Sequence, residues 1–129
     1  MKRLTDDQLA LLREPNYGIV TTVRPDGSPH STVVWVDADE DGIPTFNTAR
    51  GRVKPSNLEH NGRAAMLVVR DNDFYDWVSV DGRVEVTTDG AEEQIDALSR
   101  KYDGEPWTYK PGQERIKVRI LPEHISTYR

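Results

Sequence analysis

Between residues 46 and 62 the chain reads FNTARGRVKPSNLEHNG. A strand-like run, Phe46-Asn47-Thr48, gives way to Gly51, and Arg50, Arg52 and Lys54 supply three cations within five residues. Lys54 is followed by a proline, and Asn57-Leu58 continue as a helix that stops at Asn61-Gly62. A helix start presents unpaired backbone N–H groups and the positive end of the helix dipole, so it favours anions. Arg52 and Lys54 add formal charge there, Thr48 adds a hydroxyl from the strand end, and Asn57 stands one turn beyond Lys54. Many converging donors suit a phosphate better than a carboxylate. The competing reading is a solvated basic turn.

The remaining chemistry is narrowed by what the chain lacks. It has no cysteine, which excludes disulfides, thiolate metal sites and thiol catalysis. His30, His60 and His124 are too scattered for a local metal motif, and no metal is expected. Asp71, Asp73 and Asp76 lack the glycine and closing glutamate of a calcium loop. There is no Gly-x-Gly-x-x-Gly, no P-loop and no Gly-x-Ser-x-Gly. The formal net charge is -5, a poor starting point for nucleic-acid binding. The N-terminus shows no apolar signal region, and no stretch nears the roughly 18 apolar residues of a membrane span. A cytoplasmic location is expected.

The elements that must position the basic junction follow from pattern. The 129 residues fit one domain, 1–129. Thr5 and Gln8 form a capping box for a first helix whose apolar side carries Leu9 and Leu12, with Pro15-Asn16 ending it. Strands are expected over residues 17–24, 30–37, 43–48, 64–70, 77–87 and 115–121. Pro25-Asp26-Gly27-Ser28 turns the first pair into a hairpin. A second helix spans Val53 to His60, with Asn61-Gly62 as a left-handed cap. Over 77–87, Val78, Val80, Gly82, Val84 and Val86 point one way. Asp89 with Glu92 caps a third helix that buries Ala91, Ile95, Leu98 and Tyr102. Ile116, Val118 and Ile120 share one face of the last strand. Six short antiparallel strands leave exposed edges unless the sheet closes, so a small, mainly β barrel with short helices is expected.

Three segments in this order, RPDGSPHSTVVWVD, FNTARGRVKPSNLEHNGRAAMLVV and WVSVDGRVEV, resemble the pyridoxamine 5'-phosphate oxidase-like split-barrel superfamily. Within it they are most similar to the deazaflavin-dependent oxidoreductases, the flavin/deazaflavin oxidoreductases of group B. The resemblance covers nearly the whole chain. It implies a six-stranded antiparallel split β-barrel of the FMN-binding type, working as a homodimer with the cofactor in an interface groove. It implies that Thr48, Arg52 and Lys54, with Asn57, hold the cofactor phosphate. It also implies that the STVVW strand runs along the cofactor ring, which makes Ser31, Thr32, Val33 and Trp35 ring contacts, through main-chain groups as much as side chains.

Trp35 and Trp77 either flank the ring or pack in the core or dimer interface. Trp107 and Tyr109, in a Gly/Pro-rich loop, either meet the partner subunit or wall a substrate pocket. His30 reads as a hydrogen-bonded strand histidine. The C-terminal RILPEHISTYR places Ile120-Leu121-Pro122 inside the last strand, which counts against vitamin B6 oxidation. The implied activity is hydride transfer between coenzyme F420 and a small conjugated organic substrate. The cofactor carries such chemistry, so no catalytic side chain need stand out. The alternatives are an FMN-dependent flavoprotein and a non-catalytic carrier of flavin, deazaflavin or haem.

Overall fold

Trp35 decides the architecture. In the computed structural model, which describes residues 1–128, three helices and seven strands follow one another. They are α1 (Asp6–Arg13), β1 (Gly18–Val23), β2 (Pro29–Val34), β3 (Val36–Ala38), β4 (Pro44–Ala49), α2 (Val53–His60), β5 (Arg63–Arg70), β6 (Asp73–Thr87), α3 (Ala91–Asp103) and β7 (Arg115–Thr127). The sheet order is β2-β1-β5-β6-β7-β4-β3, and every pairing is antiparallel. Only Trp35 separates β2 from β3, yet these strands lie at opposite ends of the sheet. The sheet therefore curls until its two edges approach. The expected strand 30–37 is thus two strands joined at a corner, and the six expected strands become seven within the same split-barrel class.

The closing contact is tight. A Cβ on Gly18 in β1 would lie 2.5 Å from Cγ1 of Val36 in β3. The inside of the curl holds Val20, Val36, Phe46, Met66, Val68, Val78, Val80, Ile116, Val118 and Ile120, each at most 1% exposed. α1 covers this core with Leu11 and Leu12, and its Thr5–Gln8 capping box forms as expected. Its buried residues are Leu11 and Leu12, with Leu9 only partly covered. α3 packs Ala91, Ile95 and Leu98 on the outside, against β4 and β7. No helix among the described residues is long and apolar enough to cross a membrane.

Several local expectations are corrected. β6 starts at Asp73, not Trp77, because Asn72 takes a left-handed conformation (φ 69°) and makes the turn tight. Asn61 ends α2 at φ -135°, without a left-handed cap. α3 is preceded by Gly90 at φ 74°, not capped by Asp89, whose N–H bonds Thr87 Oγ1 instead. Val86 is 47% exposed, beside the cavity it lines with Val84, Ile116 and Val118. β7 continues through Pro122 to Thr127 because the ladder with β6 shifts register between Asp81 and Gly82.

At that shift the two backbones nearly touch. A Cβ on Gly82 would fall 1.9 Å from the carbonyl oxygen of Leu121. Backbone cannot yield as a side-chain tip can, so Gly82→Ala should cost about 3 kcal/mol or more. Gly62→Ala meets nothing within 4 Å and serves as the comparison. Urea unfolding should show the first variant strongly destabilised and the second close to wild type. Equal stability of the two would refute the close approach.

Candidate functional site

The basic junction lies where β4 hands over to α2. Gly51, at φ 92°, lets the chain reverse there. α2 begins at Arg52 with no side-chain cap and no acid in its first turn. The other helices are built the opposite way. α1 has Asp6 and Asp7 in its first turn, and α3 has Glu92 and Glu93. Cations at an uncapped helix start oppose the helix dipole. Arg52 and Lys54 therefore cost α2 stability unless an anion joins them.

Those two side chains border a groove of about 270 Å³. One wall is β2 and the corner, through Val33, Val34 and Trp35. α3 contributes Ile95 and Leu98, the loop before β7 contributes Trp107, and Asn47 and Arg115 come from β4 and β7. Tyr17 closes the remaining side. Trp35 stacks on Tyr102 (5.6 Å between centroids, 6° between planes) and meets Trp107 edge-on at 6.3 Å. The Tyr102 hydroxyl donates to the Asn16 carbonyl and accepts from the Val36 N–H, and burial pushes its pKa up to about 12. It stays neutral and fixes the corner. β2 pairs only with β1, so one row of its backbone groups is left without a sheet partner.

The groove is electrostatically unbalanced. Lys54 is half-buried, and its Nζ donates to Thr32 Oγ1 at 3.1 Å. Burial, then the charge of Arg52, pushes its pKa below the ordinary lysine value. Arg115 is 6% exposed and is shifted down by the same two causes in the same order. Among the described residues no carboxylate forms a salt bridge with Arg52, Lys54 or Arg115. Arg50 is different. It pairs with Glu114 at 2.8 Å and Glu59 at 3.4 Å, outside the groove.

The structure brings together Thr32, Val33, Trp35, Arg52 and Lys54. Other residues expected at the site lie elsewhere. Thr48 follows Asn47 in the strand and so points to the opposite face. It lines a second cavity with Pro55 and Leu58, and its buried hydroxyl has no hydrogen-bond partner. Asn57 is buried against β1 and donates to Thr22 Oγ1 at 2.9 Å, which anchors α2 to the sheet. Ser31 bonds Thr21 across the outer face at 2.8 Å. Trp77, paired with Val69, lies on that outer face and far from Trp35 in the sheet order. Trp107 lines the groove, whereas Tyr109 is 60% exposed and His30 lies across from Thr22 on β1.

Asn47 and Arg115 were missed in the sequence. Arg115 Nε donates to Asn47 Oδ1 at 2.8 Å, and Asn47 Nδ2 donates to the Ala91 carbonyl at 2.8 Å. The available signal was the polar side of the last strand. Arg115, Lys117 and Arg119 alternate with Ile116, Val118 and Ile120, which puts three cations on the face turned away from the core. The donor set fits a phosphate-bearing planar cofactor: unpaired cations at a helix start, an edge strand with free backbone groups, and aromatic walls.

Several known proteins are similar to this chain. The chain is 32% identical over 127 residues to the F420H(2)-dependent biliverdin reductase of Mycobacterium tuberculosis (strain CDC 1551 / Oshkosh), covering 95% of this chain and 87% of that protein. A solved structure of an F420 reductase superposes with a TM-score of 0.82 at 29% identity, covering 95% of this chain and 98% of that one. The General Stress Protein 26 from Bacillus anthracis str. Sterne shares the fold, with a TM-score of 0.71 at 23% identity over 93% of this chain and 89% of that one. Residues 4–126 match the family Pyridoxamine 5'-phosphate oxidase, and the chain belongs to that family.

Proposed function

We propose that the protein is an oxidoreductase that uses coenzyme F420 in this groove to reduce a small conjugated organic substrate. The observation that carries the reading is the uncapped start of α2, where Arg52 and half-buried Lys54 stand with no acidic partner. Arg52 and Lys54 hold the cofactor phosphate. The edge of β2, with Thr32 and Val33, and Trp35 orient the ring, and the Tyr102 stack keeps Trp35 in one position. Bound there, the deazaflavin supplies the hydride chemistry. Ile95, Leu98 and Trp107 give the groove apolar surface that suits a flat organic acceptor and keeps water from it. The choice of F420 over FMN is supported by the two relatives near 30% identity, both named for F420.

The working unit we propose is a homodimer. The outer sheet face carries Val33 opposite Ile19 and Ile19 opposite Leu67, with Val69 opposite Trp77. Val33 is 66% exposed and Ile19 37%. A second copy covering this stripe removes it from water and walls the open side of the groove.

Two outcomes are expected. Lys54→Ala should weaken binding of F420 by about ten-fold to a hundred-fold, the worth of a charge-assisted hydrogen bond. Its melting temperature should barely change, because the lost bond to Thr32 is offset by relief at the helix start. Arg52→Ala should act in the same direction, and Lys2→Ala should have no effect. Fluorescence titration with F420 and FMN gives the affinities; saturation by FMN alone would make the cofactor a flavin, and an unchanged Lys54→Ala would remove the phosphate site. Separately, wild type should sediment at twice the 14.7 kDa chain mass, and Ile19→Glu as a monomer with weakened F420 binding. A wild-type monomer at micromolar concentration is the result that contradicts the dimer.

A further inference from the structure

We propose that the cavity between α2 and the β6–β7 ladder binds a small uncharged molecule, mostly apolar, with one hydrogen-bonding oxygen, of the size and chemistry of a phenol or a cyclic alcohol. The cavity shares no lining residue with the groove, and the inference does not rest on the cofactor reading. Its volume is about 290 Å³. An apolar cavity of about 150 Å³ is enough to hold benzene. Strand register sets the walls. Thr48 in β4 pairs with Ile116 in β7, and Val86 in β6 pairs with Val118. Directly opposed residues share a sheet face, and Val84, two residues from Val86, lies on that face too. Across from them α2 presents Pro55 and Leu58, which stand three residues apart and so on one side of the helix.

Thr48 selects the oxygen. It is 1% exposed, and its buried hydroxyl has no hydrogen-bond partner among the described residues. A buried hydroxyl left unpaired is costly, so such groups are rare. Rotation about χ1 turns it toward the cavity, where the oxygen of a guest can accept its proton. A lone water is a poor substitute. It needs about two to four polar partners, and the walls beside Thr48 are proline, leucine, isoleucine and valine. The charged lining residues, Arg50 and Glu59, exclude an ion as the guest. They pair with each other at 3.4 Å, and Glu114 holds Arg50 at 2.8 Å, so no cation is left free to draw an anion in. Access is from the surface. Val86 is 47% exposed, and a Cβ on Gly62 would meet nothing within 4 Å.

Phenol and toluene are the probes, nearly equal in shape and different only in the hydroxyl. They are titrated to millimolar concentration into the full chain without cofactor, and the methyl resonances are followed by NMR. Phenol should shift the methyls of Val84, Val86, Ile116 and Val118 in a saturable way, while those of Val33, Val34 and Ile95 in the groove stay in place. Toluene should bind the same cavity about five-fold more weakly, the worth of one neutral hydrogen bond. Thr48→Val keeps the shape and removes the hydroxyl, so it should abolish that preference and leave toluene binding unchanged. Val86→Trp, a change at a half-exposed wall position, should block both probes. Should Thr48→Val fail to fold, the wild-type comparison still decides, because equal affinity for phenol and toluene removes the role of Thr48. The proposal is overturned by that equality, by a phenol preference that survives in Thr48→Val, by binding that survives in Val86→Trp, or by shifts confined to the groove methyls. Failure to bind F420 or FMN bears only on the cofactor reading, since neither enters these titrations.

Discussion

A chain that leaves one edge of a sheet and rejoins the other edge one residue later leaves that sheet little choice but to curl. Trp35 is that residue, and the groove exists because of it. The corner is held from α3. Tyr102 bonds the backbone on both sides of it, at Asn16 and Val36. Lys101 donates to the carbonyls of Leu12 and Val36 at 2.7 Å each and lies 3.4 Å from Asp37. Burial holds the Lys101 pKa below the ordinary lysine value, although Asp37 acts against that shift. These bonds tie α1, β3 and α3 together at one point. Gly18 allows the final approach, because any side chain there would strike Val36. The site is thus built on a hydrogen-bonded seam.

The same seam explains where charge is spent. Elsewhere several cations are paired, Arg70 with Glu14 and Asp76, Arg119 with Asp39, Arg63 with Glu123. The more exposed pairs of Arg70 and Arg63 contribute little stability each. Along the groove the charge of Arg52 acts against both Lys54 and Arg115, and among the described residues no carboxylate pairs with any of the three. Cations gathered in this way cost local stability, an arrangement common at binding sites. The cost is bearable because the curled sheet supplies a large apolar core that the groove does not touch.

Much of this was legible in the sequence, and the failures have reasons. α2 was placed at its observed limits, because Gly51 and Asn61-Gly62 bracket a short helix. The strands were found where β-branched residues alternate. The break at Trp35 was invisible, since Ser-Thr-Val-Val-Trp-Val is good strand sequence throughout and the corner arises only from long-range pairing. Lys54 and Arg52 were readable as neighbours at a helix start, because Gly51 and Pro55 mark that start locally. Thr48 and Asn57 were misplaced for one reason: spacing along the chain gives proximity, while the face a side chain takes depends on what packs above it. Arg115 sits 61 residues beyond Lys54 in sequence and reaches the groove only through the β4–β7 pairing.

Asn47 is a single amide that speaks to both sides of the groove floor, accepting from Arg115 while donating to the first turn of α3. An aspartate at this position would give Arg115 an internal counter-ion and would deprive α3 of a donor. The amide does the opposite, holding the guanidinium in place without neutralising it. The protein thereby keeps its positive potential facing outward, toward whatever enters, while the helix that forms the opposite wall is anchored to the same atom group. Arg115 and the first turn of α3 therefore share one anchor, and a shift of either is felt at the same amide.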